Sequence, residues 1–146
     1  MIDVTKIILI RHGQTTGNKQ GKLYGNTNIQ LSAEGIEQAK LLAQNFPVCK
    51  IDSLYASDLS RAYDTALYVS KRFCCDIIVN KNLREMDFGE WEGLAYQEIA
   101  CRWPKEAEIY LSKPDKLQIP GGETFIAALS IALALSEVVQ NTANGV

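Results

Sequence analysis

Residues 5–15 read TKIILIRHGQT, an apolar run that ends abruptly in charged and polar residues. The run at residues 5–10 is rich in β-branched and aliphatic side chains, the pattern of a strand covered on both faces of a parallel sheet. Arg11, His12 and Gly13 follow at the carboxyl end of this strand, where open α/β sheets place their ligands. We therefore predict an α/β protein with a binding site at the end of its first strand.

Predicted strands and helices alternate along the rest of the chain. Further strands are predicted at 51–56 and 76–80, and a charged loop at 83–93. Helices are predicted at 33–46 with Ser32 as N-cap, 59–73 with Ser57 and Asp58 as caps, 94–103, 105–112 and about 123–140. This alternation predicts one domain over residues 1–146, a three-layer α/β sandwich with a mostly parallel sheet.

Composition excludes several classes of protein. The net charge of −2 leaves no basic surface for nucleic acid, and no apolar run is long enough to span a membrane. The N-terminus lacks a signal-peptide cleavage pattern, so we expect a cytoplasmic protein. The sequence has one histidine and four cysteines, and no two cysteines have the two-residue gap of zinc or redox motifs. We therefore expect reduced thiols and no metal site or cofactor.

His12 is the candidate for chemistry. A neutral imidazole nitrogen can attack phosphorus and later leave, which suits a phosphoryl-transfer nucleophile. A neighbouring guanidinium such as that of Arg11 binds phosphate oxygens and favours the uncharged imidazole. A lone histidine is nevertheless more often structural than catalytic, so the interpretation depends on the rest of the chain.

Four motifs in order resemble the histidine phosphatases of the phosphoglycerate mutase-like superfamily. They are RHGQT at 11–15 with Asn18, then Gly25 and LSAEG at 31–35; YASDLSRA at 55–62; LREMDFGEWEG at 83–93; and PGGE at 120–123. One such motif could arise by chance, but four at family-like spacing are hard to explain otherwise. The resemblance covers nearly the whole chain. It departs from the family at Asn28, where aspartate is common.

The resemblance implies a phosphoglycerate mutase-like fold and a role for each matching residue. His12 would accept the phosphoryl group, and Glu85 would protonate the leaving group. Glu90 and Glu92 resemble supporting carboxylates of the same loop. Without the resemblance, both would be interpreted as solvent-facing charges. The remaining positions form two groups: Arg11, Asn18 and Arg61 would bind phosphate, and Gln14, Tyr24 and Gly25 would form the substrate mouth. The partner would be a small phosphorylated molecule, and no cofactor or metal is implied.

Three functions stay open. The compact segment between the third and fourth motifs most resembles α-ribazole phosphatases of cobalamin biosynthesis, with broad-specificity sugar-phosphate phosphatases and phosphoglycerate mutases as alternatives. The family has a second catalytic histidine after its last long helix, and this sequence has none besides His12. We therefore expect a C-terminally incomplete domain, with feeble activity and self-association of residues 1–146 through exposed strand edges. A non-catalytic phosphate-binding fragment is the alternative of another class.

Overall fold

The computed structural model of the chain describes residues 5–129 and residue 133. The described residues form helices and a small parallel sheet, in agreement with the predicted α/β class. The elements in chain order are α1 (Thr16–Lys19), α2 (Ala33–Gln44), β1 (Leu54–Ala56), α3 (Ser60–Phe73), β2 (Ile77–Val79), α4 (Tyr96–Arg102) and α5 (Pro104–Ser112), with short 3-10 turns at Lys81–Leu83, Gly89–Trp91, Pro114–Lys116 and Ala127–Leu129.

The sheet pairs β1 with β2 in parallel, Leu54 opposite Ile77 and Ala56 opposite Val79. Both strands are shorter than the sequence predicted. Asn80 still donates its N–H to the Ala56 carbonyl at 2.9 Å, but its side chain accepts the Asn82 N–H and begins a 3-10 turn, so the ladder ends there. Helix α3 connects the two strands, as a parallel pair requires.

Residues 5–10 correct the sequence prediction of a buried, paired strand. No described residue forms a ladder with this segment. Its apolar side chains are exposed accordingly, Ile7 to 49% and Leu9 to 73%. An apolar β-branched pattern favours a strand only when neighbours supply hydrogen bonds and cover its faces, and the described part of the chain supplies neither.

Helices α2 and α3 lie close to their predicted positions but begin differently. The hydroxyl of Ser32 caps α2 as predicted, accepting the Gly35 N–H at 3.1 Å. The predicted caps of α3, Ser57 and Asp58, are wrong. Instead the side-chain oxygen of Asn28, distant in sequence, accepts the Ser60 N–H at 2.8 Å, which satisfies one of the amides that a helix start leaves free.

Residues 86–119 build a compact hydrophobic cluster around the fully buried ring of Trp91, which meets Tyr110 edge-on with ring centroids 5.8 Å apart. The other buried members are Met86, Phe88, Ile99, Ala107, Leu117 and Ile119. The helix predicted at about 123–140 differs at its start, since residues 127–129 form a 3-10 turn. The rest of that prediction lies outside the described residues.

Candidate active site

His12 is half-buried, and its ring is held by a bond to its own backbone neighbour. The distance from Nδ1 to the Gly13 carbonyl oxygen is 2.7 Å. A carbonyl can only accept, so Nδ1 carries the proton and donates it. In the neutral ring the free lone pair is therefore on Nε2. This bond fixes both the tautomer and the orientation of the imidazole.

The surroundings of His12 keep its ring uncharged. Burial lowers the pKa of His12 most, and the positive charges of Arg61 and Arg11 lower it further. The bond to Gly13 and the negative charge of Glu85 oppose this without reversing it. Because only the neutral ring has a lone pair to donate, these groups favour the nucleophilic form near neutral pH.

The titration of His12 tests this electrostatic arrangement directly. The chain has a single histidine, so its imidazole resonances in an NMR pH titration are unambiguous. We expect a midpoint below the ordinary value of about 6.5 in the folded protein. The urea-unfolded chain is the control and should return to the ordinary value. A folded-state midpoint at or above that of the unfolded chain would contradict the lowered pKa.

Gly13 allows the histidine loop to pack closely against two helices. A Cβ at this position would lie 2.5 Å from the Gly35 carbonyl oxygen in α2, so only glycine fits. The Gly13 N–H donates to the Thr65 hydroxyl at 3.1 Å, and that hydroxyl donates to the Arg61 carbonyl at 2.7 Å. One threonine on α3 thus connects the loop of His12 to the turn that carries Arg61.

Helix α1 directs the amide group of Asn18. Thr15 and Asn18 form a reciprocal cap: the Asn18 N–H donates to the Thr15 hydroxyl at 3.0 Å, and the Thr15 N–H donates to Asn18 Oδ1 at 3.1 Å. Because Oδ1 is engaged in the cap, the Nδ2 donors remain without a partner among the described residues and are available to an anion. This helix was not predicted, although Thr15 is one of the residue types preferred at a helix N-cap.

Arg61 is 2% exposed, and its guanidinium donates hydrogen bonds to the loop at residues 25–27. Nη1 donates to the Thr27 carbonyl at 2.9 Å, and Nη2 donates to the Gly25 carbonyl at 2.5 Å. Burial lowers the pKa of Arg61, while the negative charges of Glu85 and Glu92 oppose that shift. Two of its five N–H groups find acceptors among residues 5–129 and 133, which leaves the others available to an anion there.

A cavity of about 320 Å³ gathers part of the predicted site. Its lining residues are Arg11, His12, Gln14, Asn18 and Gln38. Gln38 was not among the predicted site residues; its Oε1 accepts the Gln14 N–H at 2.8 Å. A larger, more apolar cavity of about 430 Å³ also reaches His12, between the segment at residues 8–13 and α2.

The remaining predicted residues do not line the 320 Å³ cavity; they are Arg61, Glu85, Tyr24 and Gly25. The charge of Glu85 acts on both His12 and Arg61, and its Oε1 accepts the Met86 N–H at 3.0 Å. Tyr24 packs its ring against Gly17, where a Cβ would be 2.1 Å from the ring. Gly25 belongs to the loop that Arg61 holds. Tyr24 and Gly25 line neither the 320 Å³ nor the 430 Å³ cavity.

Asp58 and Arg84 connect the two segments that carry Arg61 and Glu85. Nε and Nη2 of Arg84 each donate to a separate oxygen of Asp58 at 2.6 Å. The Arg84 bonds lower the pKa of the Asp58 carboxyl, and the carboxylate raises the pKa of Arg84. This planar fork-to-carboxylate geometry fixes orientation as well as distance.

Residues 5–129 and 133 contain no group of three or more His, Cys, Asp or Glu side chains placed to hold a metal ion. Within the same residues, no helix combines the length and the apolar character needed to cross a bilayer.

Comparison with known families gives one match over nearly the whole chain. A family model described as the histidine phosphatase superfamily (branch 1) matches residues 7–145. The solved structure of the alpha-ribazole phosphatase from Shigella flexneri superimposes with a TM-score of 0.78 at 26% identity, covering 92% of this chain and 65% of that one. The predicted phosphoglycerate mutase-like α/β fold is confirmed.

Two of the similar curated proteins carry phosphatase names. The metal-independent phosphoserine phosphatase of Arabidopsis thaliana is 37% identical over 126 residues, 82% of this chain and 51% of the relative. Phosphoserine phosphatase 1 of Hydrogenobacter thermophilus is 31% identical over 137 residues, 94% of this chain and 65% of the relative. The chain thus spans between about half and two thirds of the length of these relatives.

Proposed function

Because the chain belongs to the histidine phosphatase superfamily, branch 1, we propose that it hydrolyses phosphomonoesters through a phosphohistidine formed on Nε2 of His12. The observation that carries this proposal is the state of the His12 ring. Its Nδ1–H is committed to the Gly13 carbonyl, its pKa is lowered, and it lines a cavity together with Arg11 and Asn18. A nucleophile that attacks a phosphate dianion requires a neutral lone pair and positive charges around the phosphate.

In the first step, Nε2 of His12 attacks phosphorus and forms a P–N bond while the P–O bond to the leaving group breaks. The electron pair departs with the leaving oxygen, which takes a proton from the carboxyl group of Glu85. Arg11, Arg61 and the free Nδ2 of Asn18 neutralise charge on the phosphoryl oxygens. The products of this step are phosphohistidine and a free alcohol.

In the second step, water attacks the phosphohistidine. The carboxylate of Glu85 accepts a proton from the water, the new P–O bond forms, and the P–N bond breaks to return its electron pair to Nε2. Inorganic phosphate leaves and His12 is neutral again. The same carboxyl group therefore serves as acid and then as base, and no redox or metal chemistry is needed to balance either step.

The substrate belongs to small phosphomonoesters. The motif pattern favours α-ribazole 5′-phosphate, with sugar phosphates and the mutase reaction of phosphoglycerates as alternatives, and the alpha-ribazole phosphatase neighbour supports it. The names of the two curated relatives support O-phosphoserine as the second candidate. A mutase would differ from both in requiring a bisphosphate primer.

Trapping the covalent intermediate tests the proposal. A labelled phosphomonoester mixed with the protein and quenched within milliseconds should leave label on the chain that is stable to base and lost in acid. Since the chain has one histidine, a labelled phosphohistidine can only be His12. Turnover should also survive a chelator. Phosphate binding without any label transfer would instead favour a non-catalytic module, and activity lost to EDTA and restored by a divalent ion would overturn the metal-free mechanism.

A further inference from the structure

The carboxylate of Glu92 organises the loop at residues 25–27. It accepts backbone N–H groups from three successive residues, Gly25 at 2.9 Å, Asn26 at 3.0 Å and Thr27 at 3.3 Å, and a fourth from Phe88 at 3.1 Å. Carboxylates that accept several backbone amides form strong, charge-assisted bonds. This side chain is half-buried, so these bonds are partly shielded from water.

The same loop presents its carbonyl groups to Arg61. The amides of Gly25 and Thr27 point to Glu92, and the carbonyls of the same two residues accept the Nη groups of Arg61. The peptide groups of this loop therefore lie between a negative and a positive side chain and are polarised by both. The negative charge of Glu92 also helps to keep Arg61 protonated against the effect of its burial.

We propose that Glu92 is a positioning residue: by holding the loop at residues 25–27, it sets the direction in which the free N–H groups of Arg61 meet the phosphoryl group. This rests on the proposed function, because it assigns Arg61 to the bound phosphate. The loop is also closely packed at Gly25. A Cβ at Gly25 would lie 1.8 Å from the Met86 carbonyl oxygen, so the backbone there is already in close contact.

Glu92→Gln is the substitution of choice, since it keeps the shape and one acceptor oxygen but removes the charge. We expect kcat/KM to fall by about 10–100-fold, as is usual for residues that orient a functional group. Binding of inorganic phosphate, followed through the NMR resonances of His12, should weaken by a similar factor. The control is Glu108→Gln, an exposed glutamate on α5 whose carboxylate makes no hydrogen bond among the described residues; it should change neither quantity.

A double-mutant cycle separates positioning from simple stabilisation. If Glu92 acts through Arg61, the loss caused by Glu92→Gln should shrink markedly in an Arg61→Lys background, because lysine lacks the fork that the loop orients. A purely structural role would lower the melting temperature and reduce phosphate binding equally in both backgrounds.

Three results would overturn the proposal. They are equal losses in the two backgrounds, a Glu92→Gln protein that binds phosphate as tightly as Glu108→Gln, and a wild-type protein that binds no inorganic phosphate. Phosphate binding does not depend on turnover. Tight binding without phosphohistidine would therefore remove the proposed function while leaving the role of Glu92 measurable.

Discussion

Replacing His12 by asparagine is expected to eliminate the phosphoenzyme and to lower turnover by about 10³–10⁶-fold, the range for loss of a catalytic nucleophile. An amide nitrogen has no basic lone pair with which to attack phosphorus. Its N–H can still donate to the Gly13 carbonyl, so the loop packed against Gly35 should be retained. Turnover of p-nitrophenyl phosphate and label incorporation are the measurements.

Thermal unfolding controls for the integrity of the His12→Asn protein. An unchanged melting temperature with lost turnover assigns the effect to chemistry. Turnover within tenfold of wild type would remove His12 from the role of phosphoryl acceptor, and any label would then have to be sought on another side chain.

Glu85→Gln is expected to separate substrates by their leaving groups. The amide keeps the shape of the side chain but has no acidic proton, so hydrolysis of alkyl phosphates should fall by about 10²–10⁴-fold. The loss should be much smaller for p-nitrophenyl phosphate, whose phenolate leaves without a proton. The measurement is kcat/KM for both substrates, with Glu108→Gln, at an exposed glutamate on α5, as the matched control.

Equal losses on the two substrates would contradict the acid role of Glu85. They would indicate instead that its charge serves the phosphate-binding arrangement, a reading compatible with its electrostatic effect on Arg61. A loss confined to alkyl phosphates supports the proton donor.

Local signals in the sequence were sufficient to locate helices α2 and α3. Ser32 caps α2 through a hydroxyl three residues from its partner amide, and apolar spacing located α3 within a residue or two. The prediction of a strand at residues 5–10 was wrong because an apolar pattern indicates only what a segment can bury. A strand also needs a neighbouring strand that pairs with its backbone. That partner is not encoded in the segment itself.

The site was predictable where a motif brings its residues together in sequence. Arg11, His12, Gln14 and Asn18 share one cavity because they lie within a single loop and the short helix after it. The roles of Asn28 and Glu92 depend on contacts across 32 and up to 67 residues. The sequence leaves Glu92 open between a supporting carboxylate, as the family resemblance implies, and a solvent-facing charge, and only the fold brings four backbone amides to it.

Trp91 and Glu92 are adjacent in sequence, yet they belong to different parts of the molecule. The indole ring is fully buried among the side chains of α4, α5 and the segment after them, and the next carboxylate holds the loop behind Arg61. The helical region at 94–119 is thus connected to the loop that Arg61 holds through this dipeptide and through backbone bonds, since the Leu23 N–H donates to the Leu94 carbonyl at 3.0 Å and the Gly93 N–H to the Leu23 carbonyl at 2.8 Å. A protein engineer who replaced this helical region, to accommodate a different alcohol, would have to preserve the pocket for the Trp91 ring and the backbone bonds at Leu23.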